Sequence, residues 1–246
     1  MSDRDAQHVY ILHTRKYRDT SLIADVFSQE EGRYSLVFRG ARSKKSRHKS
    51  LLQPFSPVLV VTYGKGEMKT AGALDFAGRP LRLEKENLFI GMYVNELLYR
   101  LLGKYDALPA LYVRYEKLLS ELESEKFHIH SLREFELSLL ANLGYGITFD
   151  FDVRTGALVH PDNQYRFVAE EGFHSLLDSK ALTGRGRFDE SAGVTNTYGG
   201  VHLLAIASGD YSNQAGEILK QVIRKSIEPL LGGKPLKSRS LFEGRV

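Results

Sequence analysis

The sequence predicts an α+β protein, in which a small β-barrel built from four or five short strands is followed by a helical domain. Two changes along the chain carry that reading. Apolar residues up to about residue 80 fall in short runs or at every second position, the period of strands. From Leu83 onward they fall at three- and four-residue spacing, the period of helices. Val9-Tyr10-Ile11-Leu12 and the stretch Ser21–Phe27 are the first two apolar runs, and Gly32 breaks the chain after them. Tyr34, Leu36 and Phe38 then alternate with Ser35, Val37 and Arg39, as in a half-buried strand. Pro57 opens the β-branched run Val58-Leu59-Val60-Val61-Thr62-Tyr63, Gly64-Lys65-Gly66 turns the chain, and Glu67–Leu74 returns as the second arm of a hairpin. A barrel of this size with these turns points to an OB-like fold over residues 1–80. Tyr17, Tyr34, Phe38, Phe55 and Tyr63 could offer stacking platforms, although strand aromatics usually pack inward.

Residues 81–246 read as the helical domain. Leu88, Met92, Leu97, Leu98, Leu101 and Leu102 mark a first helix that stops at Gly103. Leu111, Tyr112, Tyr115, Leu118, Leu119 and Leu122 mark a second, with Pro109 near its first turn. Ser131-Leu132-Arg133-Glu134 has the form of a capping box for a third, whose apolar face is Leu132, Phe135, Leu139, Leu140 and Leu143 and whose stop is Gly144. A fourth runs from about Asn213 to Ile227, ended by Pro229 and Gly232-Gly233. Between the third and fourth, residues 145–200 are rich in Gly, Asp, Thr and Asn and read as short hairpins and loops.

Composition narrows the function. With 42% hydrophobic residues the chain can build a core, and no apolar stretch approaches the ~20 residues that span a bilayer. The N-terminus lacks the apolar segment of a secretory signal, so a soluble, cytoplasmic protein is expected. The absence of cysteine excludes disulfides, thiol catalysis and Cys-ligated metal. No GxSxG or HExxH pattern is present. Gly232-Gly233-Lys234 ends like a phosphate-binding loop, but Pro235 stands where Ser or Thr is needed, and Gly64-Lys65-Gly66 lacks a third glycine. His160, Asp162 and His174 are loop residues with no established ligand spacing. The expectation is a non-enzymatic protein with no metal and no cofactor.

Charge supplies the positive signal. The net charge of +4 is uneven: residues 1–80 carry 14 Lys/Arg against 8 Asp/Glu, whereas residues 81–246 carry 20 against 22. From Arg39 to Lys49 there are six cations (Arg39, Arg42, Lys44, Lys45, Arg47 and Lys49) and no acid. This run follows the alternating strand directly, so it leaves the barrel as a loop able to meet successive phosphates. Lys234, Lys237 and Arg239 follow two glycines and a helix end. They either fold back as a second cationic element for nucleic acid or complement the helix dipole.

Several strings, in order, resemble the bacterial RecO recombination mediators. His13-Thr14-Arg15 with Asp19-Thr20-Ser21-Leu22, then Gly40-Ala41-Arg42-Ser43-Lys44, then Leu52-Gln53-Pro54-Phe55 are similar to their barrel domain. Tyr93-Val94-Asn95-Glu96-Leu97-Leu98 resembles their first core helix, and Phe135-Glu136-Leu137 with Leu143-Gly144-Tyr145-Gly146 the next landmark. Gly232-Gly233-Lys234-Pro235-Leu236-Lys237-Ser238-Arg239 is similar to their C-terminal motif.

The resemblance implies binding of single- and double-stranded DNA, annealing of complementary strands, and capture of the acidic C-terminal tail of single-stranded DNA-binding protein. It further implies work with RecR to load RecA, and a nucleoid-associated location. It implies that Arg133 serves tail binding. Beside it, Leu132, Tyr112 and Tyr115 would supply an apolar notch, with Arg114 and Lys117 adjacent; the competing reading pairs Arg133 with Glu134 or Glu136. Many such proteins carry a four-cysteine zinc knuckle where this chain has Asp150–Phe173 without cysteine, so a metal-free, knuckle-like hairpin insertion is expected. The alternative function is a protein-interaction adaptor whose helical domain does the main work.

Overall fold

The computed structural model describes residues 6–43, 46, 48–124, 127–176 and 196–238, with only the backbone of residues 48 and 49. By compactness the chain divides into two units, Met1–Ser131 with Lys234–Val246, and Leu132–Gly233. The barrel and helical regions read from the sequence divide near residue 80 instead; the first two helices belong to the barrel's unit.

In the first unit, β1 (Gln7–Tyr17), β2 (Ser21–Ser28), β3 (Gly32–Phe38), β4 (Pro57–Tyr63) and β5 (Met68–Phe76) close in the order β1-β2-β3-β5-β4, and the short helix α1 (His48–Leu51) lies between β3 and β4. All neighbours are antiparallel except β3 with β5. The period-two residues fill the barrel: Val9 and Ile11, Ala24 and Val26, Tyr34, Leu36 and Phe38, Val58 and Val60 form one buried cluster. A register shift between Ile11 and His13 bends β1 as it passes from pairing with both β2 and β4 to pairing with β2 alone. Among the candidate platforms Tyr34, Phe38 and Phe55 are buried, whereas Tyr63 is half-exposed.

Two helices cover the outer face of β1 and β2, which explains why Leu22–Phe27 reads as nearly continuous apolar sequence. They are α2 (Lys85–Leu101) and α3 (Pro109–Glu123). Tyr10 packs against Tyr112 and Tyr115 with ring centroids 5.9 and 5.2 Å apart, and Phe27 against Tyr112 at 5.4 Å. Buried Asn95 fixes the docking: its amide donates to the Ile11 and Leu12 carbonyls, both at 3.3 Å, and its oxygen accepts from the Tyr115 hydroxyl at 2.6 Å. Both carbonyls lie at the β1 register shift.

The second unit holds most of α4 (Ile129–Asn142), a sheet of order β7-β6-β8, α5 (Gly200–Ala207) and α6 (Asn213–Leu230). Its strands are β6 (Gln164–Val168), β7 (Gly172–Ser175) and β8 (Thr197–Gly199). The α6 stripe Ala215, Ile218, Leu219, Val222, Ile223 and Ile227 is buried as its spacing requires. Helix α4 ends as expected: Gly144 has φ +86°, its N–H donates to Ala141 and that of Tyr145 to Leu140, a Schellman closure. Its start is a correction. The helix begins at Ile129, so Ser131 lies inside it and its N–H donates to the His128 carbonyl rather than opening a capping box. Helix α5 was not anticipated, and α6 runs one residue past Pro229.

Candidate nucleic-acid interface

Cations gather on the barrel at three places. The first is the end of β3. Arg39 leaves the strand exposed, Gly40 turns at φ +65°, and buried Ala41 plugs the barrel end. The Arg42 N–H donates to Thr20 at 2.8 Å and its guanidinium to the Arg18 carbonyl at 3.1 Å, which brings Arg18, Arg39 and Arg42 to one rim. Lys44, Lys45 and Arg47 lie outside the described residues, as does the side chain of Lys49.

The second place is a cluster organised by one buried carboxylate. Asp25 on β2 accepts from Ser35 Oγ at 2.6 Å and from Arg15 at 3.3 Å, with Arg33 and His13 each 4.0 Å away. Register explains the convergence: His13 and Ser35 stand directly across from Asp25 on β1 and β3, and Arg15 and Arg33 are its diagonal neighbours. Two guanidinium cations, Arg15 and Arg33, surround one acid, so the cluster carries a net positive charge. The sequence reading missed this set because its members are single residues on three strands, and only the strand register aligns them.

The third place is the strap formed by the residues after Gly233. Arg100 on α2 donates from its two terminal nitrogens to the carbonyls of Pro235 at 2.9 Å and Lys234 at 2.7 Å. Glu96, one turn earlier, accepts from the backbone N–H of Lys237 at 2.9 Å and Ser238 at 2.8 Å. Burial alone would raise the Glu96 pKa, but these bonds and the Arg100 charge outweigh it and hold the carboxyl below its ordinary value. Leu236 and Ser238 turn inward while Lys234 and Lys237 are exposed. The strap thus folds back onto the barrel's unit and presents lysines; Arg239 lies outside the described residues.

The residues assigned to tail binding are placed differently from the notch expected of them. Tyr112 and Tyr115 are core residues at 2% and 0% exposure, and the Tyr112 hydroxyl lies 2.5 Å from His8 Nδ1. Burial drives the phenol pKa of each upward. Leu132 is also buried, in the other unit. These three side chains are therefore consumed by packing and present no open apolar surface. Lys117 is exposed and 3.7 Å from Glu121, and Arg114 is half-buried. Arg133, in the second turn of α4 rather than the first, is ion-paired with Glu136, whose side chain is 1% exposed.

Over Asp150–Phe173, where the resemblance implies a metal-free knuckle-like insertion, a carboxylate and an aromatic cluster organise the chain. Asp152 is buried; one oxygen accepts from the N–H groups of Arg154 at 2.9 Å and Thr155 at 3.1 Å, the other from that of Ser175 at 2.8 Å. Burial opposes ionisation, but these three bonds prevail and lower its pKa. Phe173 packs against Phe149, Phe167 and Tyr198 with centroids 5.0–6.0 Å apart. His160 and Asp162 are 3.8 Å apart and His174 pairs with Glu171; among the described residues no group of three or more His, Asp or Glu is placed to hold a metal ion. None of the described helices is long and apolar enough to cross a membrane.

Comparison with known proteins agrees across the whole chain. Residues 1–76 match the family described as Recombination protein O N terminal, and residues 82–240 that described as Recombination protein O C terminal. The chain is 37% identical to the DNA repair protein RecO of Aliivibrio salmonicida over 241 residues, covering 98% of this chain and 96% of that one. It is 39% identical to that of Vibrio parahaemolyticus over 243 residues, covering 98% and 94%. It is 38% identical to that of Yersinia pestis over 240 residues, covering 96% and 93%.

Proposed function

The chain belongs to the Recombination protein O family, and on that premise we propose that it is a non-enzymatic mediator that binds single- and double-stranded DNA and anneals complementary strands. Its setting is DNA repair and recombination, as for the rest of the family. The observation that carries the reading is the closed barrel bearing cations at the β3 end, around Asp25 and on the strap. Cations so spread neutralise phosphates on two strands at once, which lowers their repulsion, while base pairing supplies the specificity. No nucleotide-binding loop is needed for such work. In this reading RecR and RecA act downstream of the chain, on gaps coated by single-stranded DNA-binding protein, whose acidic tail recruits it.

The test is fluorescence anisotropy with single-stranded DNA across a salt series, repeated with the tail peptide as competitor. Affinity should fall linearly on logarithmic axes, with a slope of about −0.7 per phosphate neutralised. A salt-independent affinity, or none, would refute the DNA-binding reading. Binding of tail peptide without DNA would favour an adaptor.

A further inference from the structure

A groove of about 730 Å³ runs beside the strap, between β1, the Pro54-Phe55 loop and α2. Its lining includes His13, Phe55, Met92, Tyr99, Lys234 and Lys237. The His13 ring stacks on Tyr99, centroids 4.9 Å apart and planes 27° apart, and about half of the His13 side chain faces solvent. The Arg33 guanidinium lies 5.7 Å from the centroid of the same tyrosine ring, so Tyr99 holds both a cation and the half-exposed His13 imidazole against it. Met92, 43% exposed, adds a polarisable edge. Phe55 forms the floor with φ +66°, a conformation costly for a bulky residue, and its ring packs so tightly on α2 that a Cβ on Gly91 would approach it to 3.0 Å.

The charged part is positive. Lys234 and Lys237 stand along the strap side. The acid within the lining, Glu96, has both oxygens engaged by backbone N–H groups. A ligand that suits this groove brings a flat apolar face together with negative charge beside it. A terminal carboxylate of an acidic peptide would want a guanidinium fork, but Arg100 already donates from both terminal nitrogens to backbone carbonyls.

We propose that the groove receives an unpaired base of a DNA single strand, stacked on the outer face of His13, with the adjoining phosphates on Lys234 and Lys237. The proposal rests on the DNA-binding reading above and deepens it. It makes the groove selective for single strands, because a duplex keeps its bases stacked on one another and offers only phosphates to the same lysines.

The experiment compares the full-length chain on two strands of equal length, one of oligothymidine and one with abasic sugars throughout, by fluorescence anisotropy at fixed salt. Wild type should prefer the base-bearing strand roughly ten-fold, the scale of one base stacked on one aromatic ring. His13→Ala should abolish that preference and leave the salt slope unchanged, and His13→Phe should restore it. Lys234→Ala with Lys237→Ala should instead flatten the slope, by about 1.4 for two phosphates. Thermal melts of each variant verify the fold. Equal binding of both strands by wild type, or a preference that His13→Ala leaves intact, overturns the groove assignment alone. Binding of neither strand overturns the DNA-binding reading itself. Loss of acidic-peptide binding in His13→Ala, with the base preference kept, assigns the groove to a peptide and overturns the proposal.

Discussion

Replacing Glu96 by alanine should release the strap from α2. The carboxylate holds the N–H groups of Lys237 and Ser238 at 2.9 and 2.8 Å, and hydrogen bonds to a charged group contribute ~1.5–3 kcal/mol each. The site is partly exposed, so water replaces some of that, and a net local loss of ~2–3 kcal/mol is the working figure. Each ~1.4 kcal/mol is a factor of ten, so amide hydrogen exchange at Lys237 and Ser238 should accelerate roughly 30- to 150-fold. Glu96→Gln keeps an acceptor but loses the charge and should fall between. Because the folded-state pKa is depressed, the stabilisation is complete at neutral pH, and it is lost as pH falls below the ordinary carboxylate range and through the lowered folded value. Exchange rates at these two amides that match wild type, while Leu236 remains buried, would refute the clamp.

Asp152→Ala should destabilise its unit by ~2–4 kcal/mol in urea melts, since three backbone donors lose their acceptor, and acidification through the lowered pKa should weaken wild type in the same sense. Wild type should keep its melting temperature in the presence of a chelator; a drop would mean that a metal organises this region after all. Arg133→Ala should cost ~3 kcal/mol by removing the ion-pair partner of the buried Glu136 carboxylate, and a joint Arg133→Met, Glu136→Met change should recover most of it. A loss under ~1 kcal/mol would return Arg133 to the class of ordinary surface pairs and make any effect on tail-peptide affinity a direct one. Changing Arg42, Lys44, Lys45 and Arg47 together to alanine should flatten the salt dependence of single-strand binding by about 0.7 for each phosphate that is no longer neutralised; an unaltered slope removes the loop from the interface.

The fold was legible where a pattern is local. Period-two residues of the first four of the five strand stretches read from the sequence line the barrel, Ala71 and Leu74 of the fifth pack against them, and the six apolar positions named on α3 are all buried. The capping box failed because Ser-x-x-Glu also occurs inside helices, where the backbone N–H of Ser131 is already satisfied by His128. Helix α5 escaped because Val201–Ala207 is apolar nearly throughout, and such a run shows neither period. The interface divides in the same way. A cationic run is visible in one dimension, whereas the Asp25 cluster requires the register of three strands. The strap's lysines could be read, but not the acid and arginine that receive its backbone, which lie more than 130 positions earlier. Tyr112 and Tyr115 were read as a core stripe and as a docking face at once, and burial against Tyr10 and Phe27 leaves only the first role open to them as packed.

The same strap sets an order of events during synthesis. Arg100 meets Pro235 across 135 positions of chain, so at ~5–20 residues per second its partner leaves the ribosome roughly 7–27 s after it does. The barrel strands and both helices packed on them are made before that moment, but the lysine side of the groove is not. A nascent chain, or one cut before Lys234, would carry the barrel's cations without the strap, and would meet nucleic acid as a bare charged surface lacking its lysine wall.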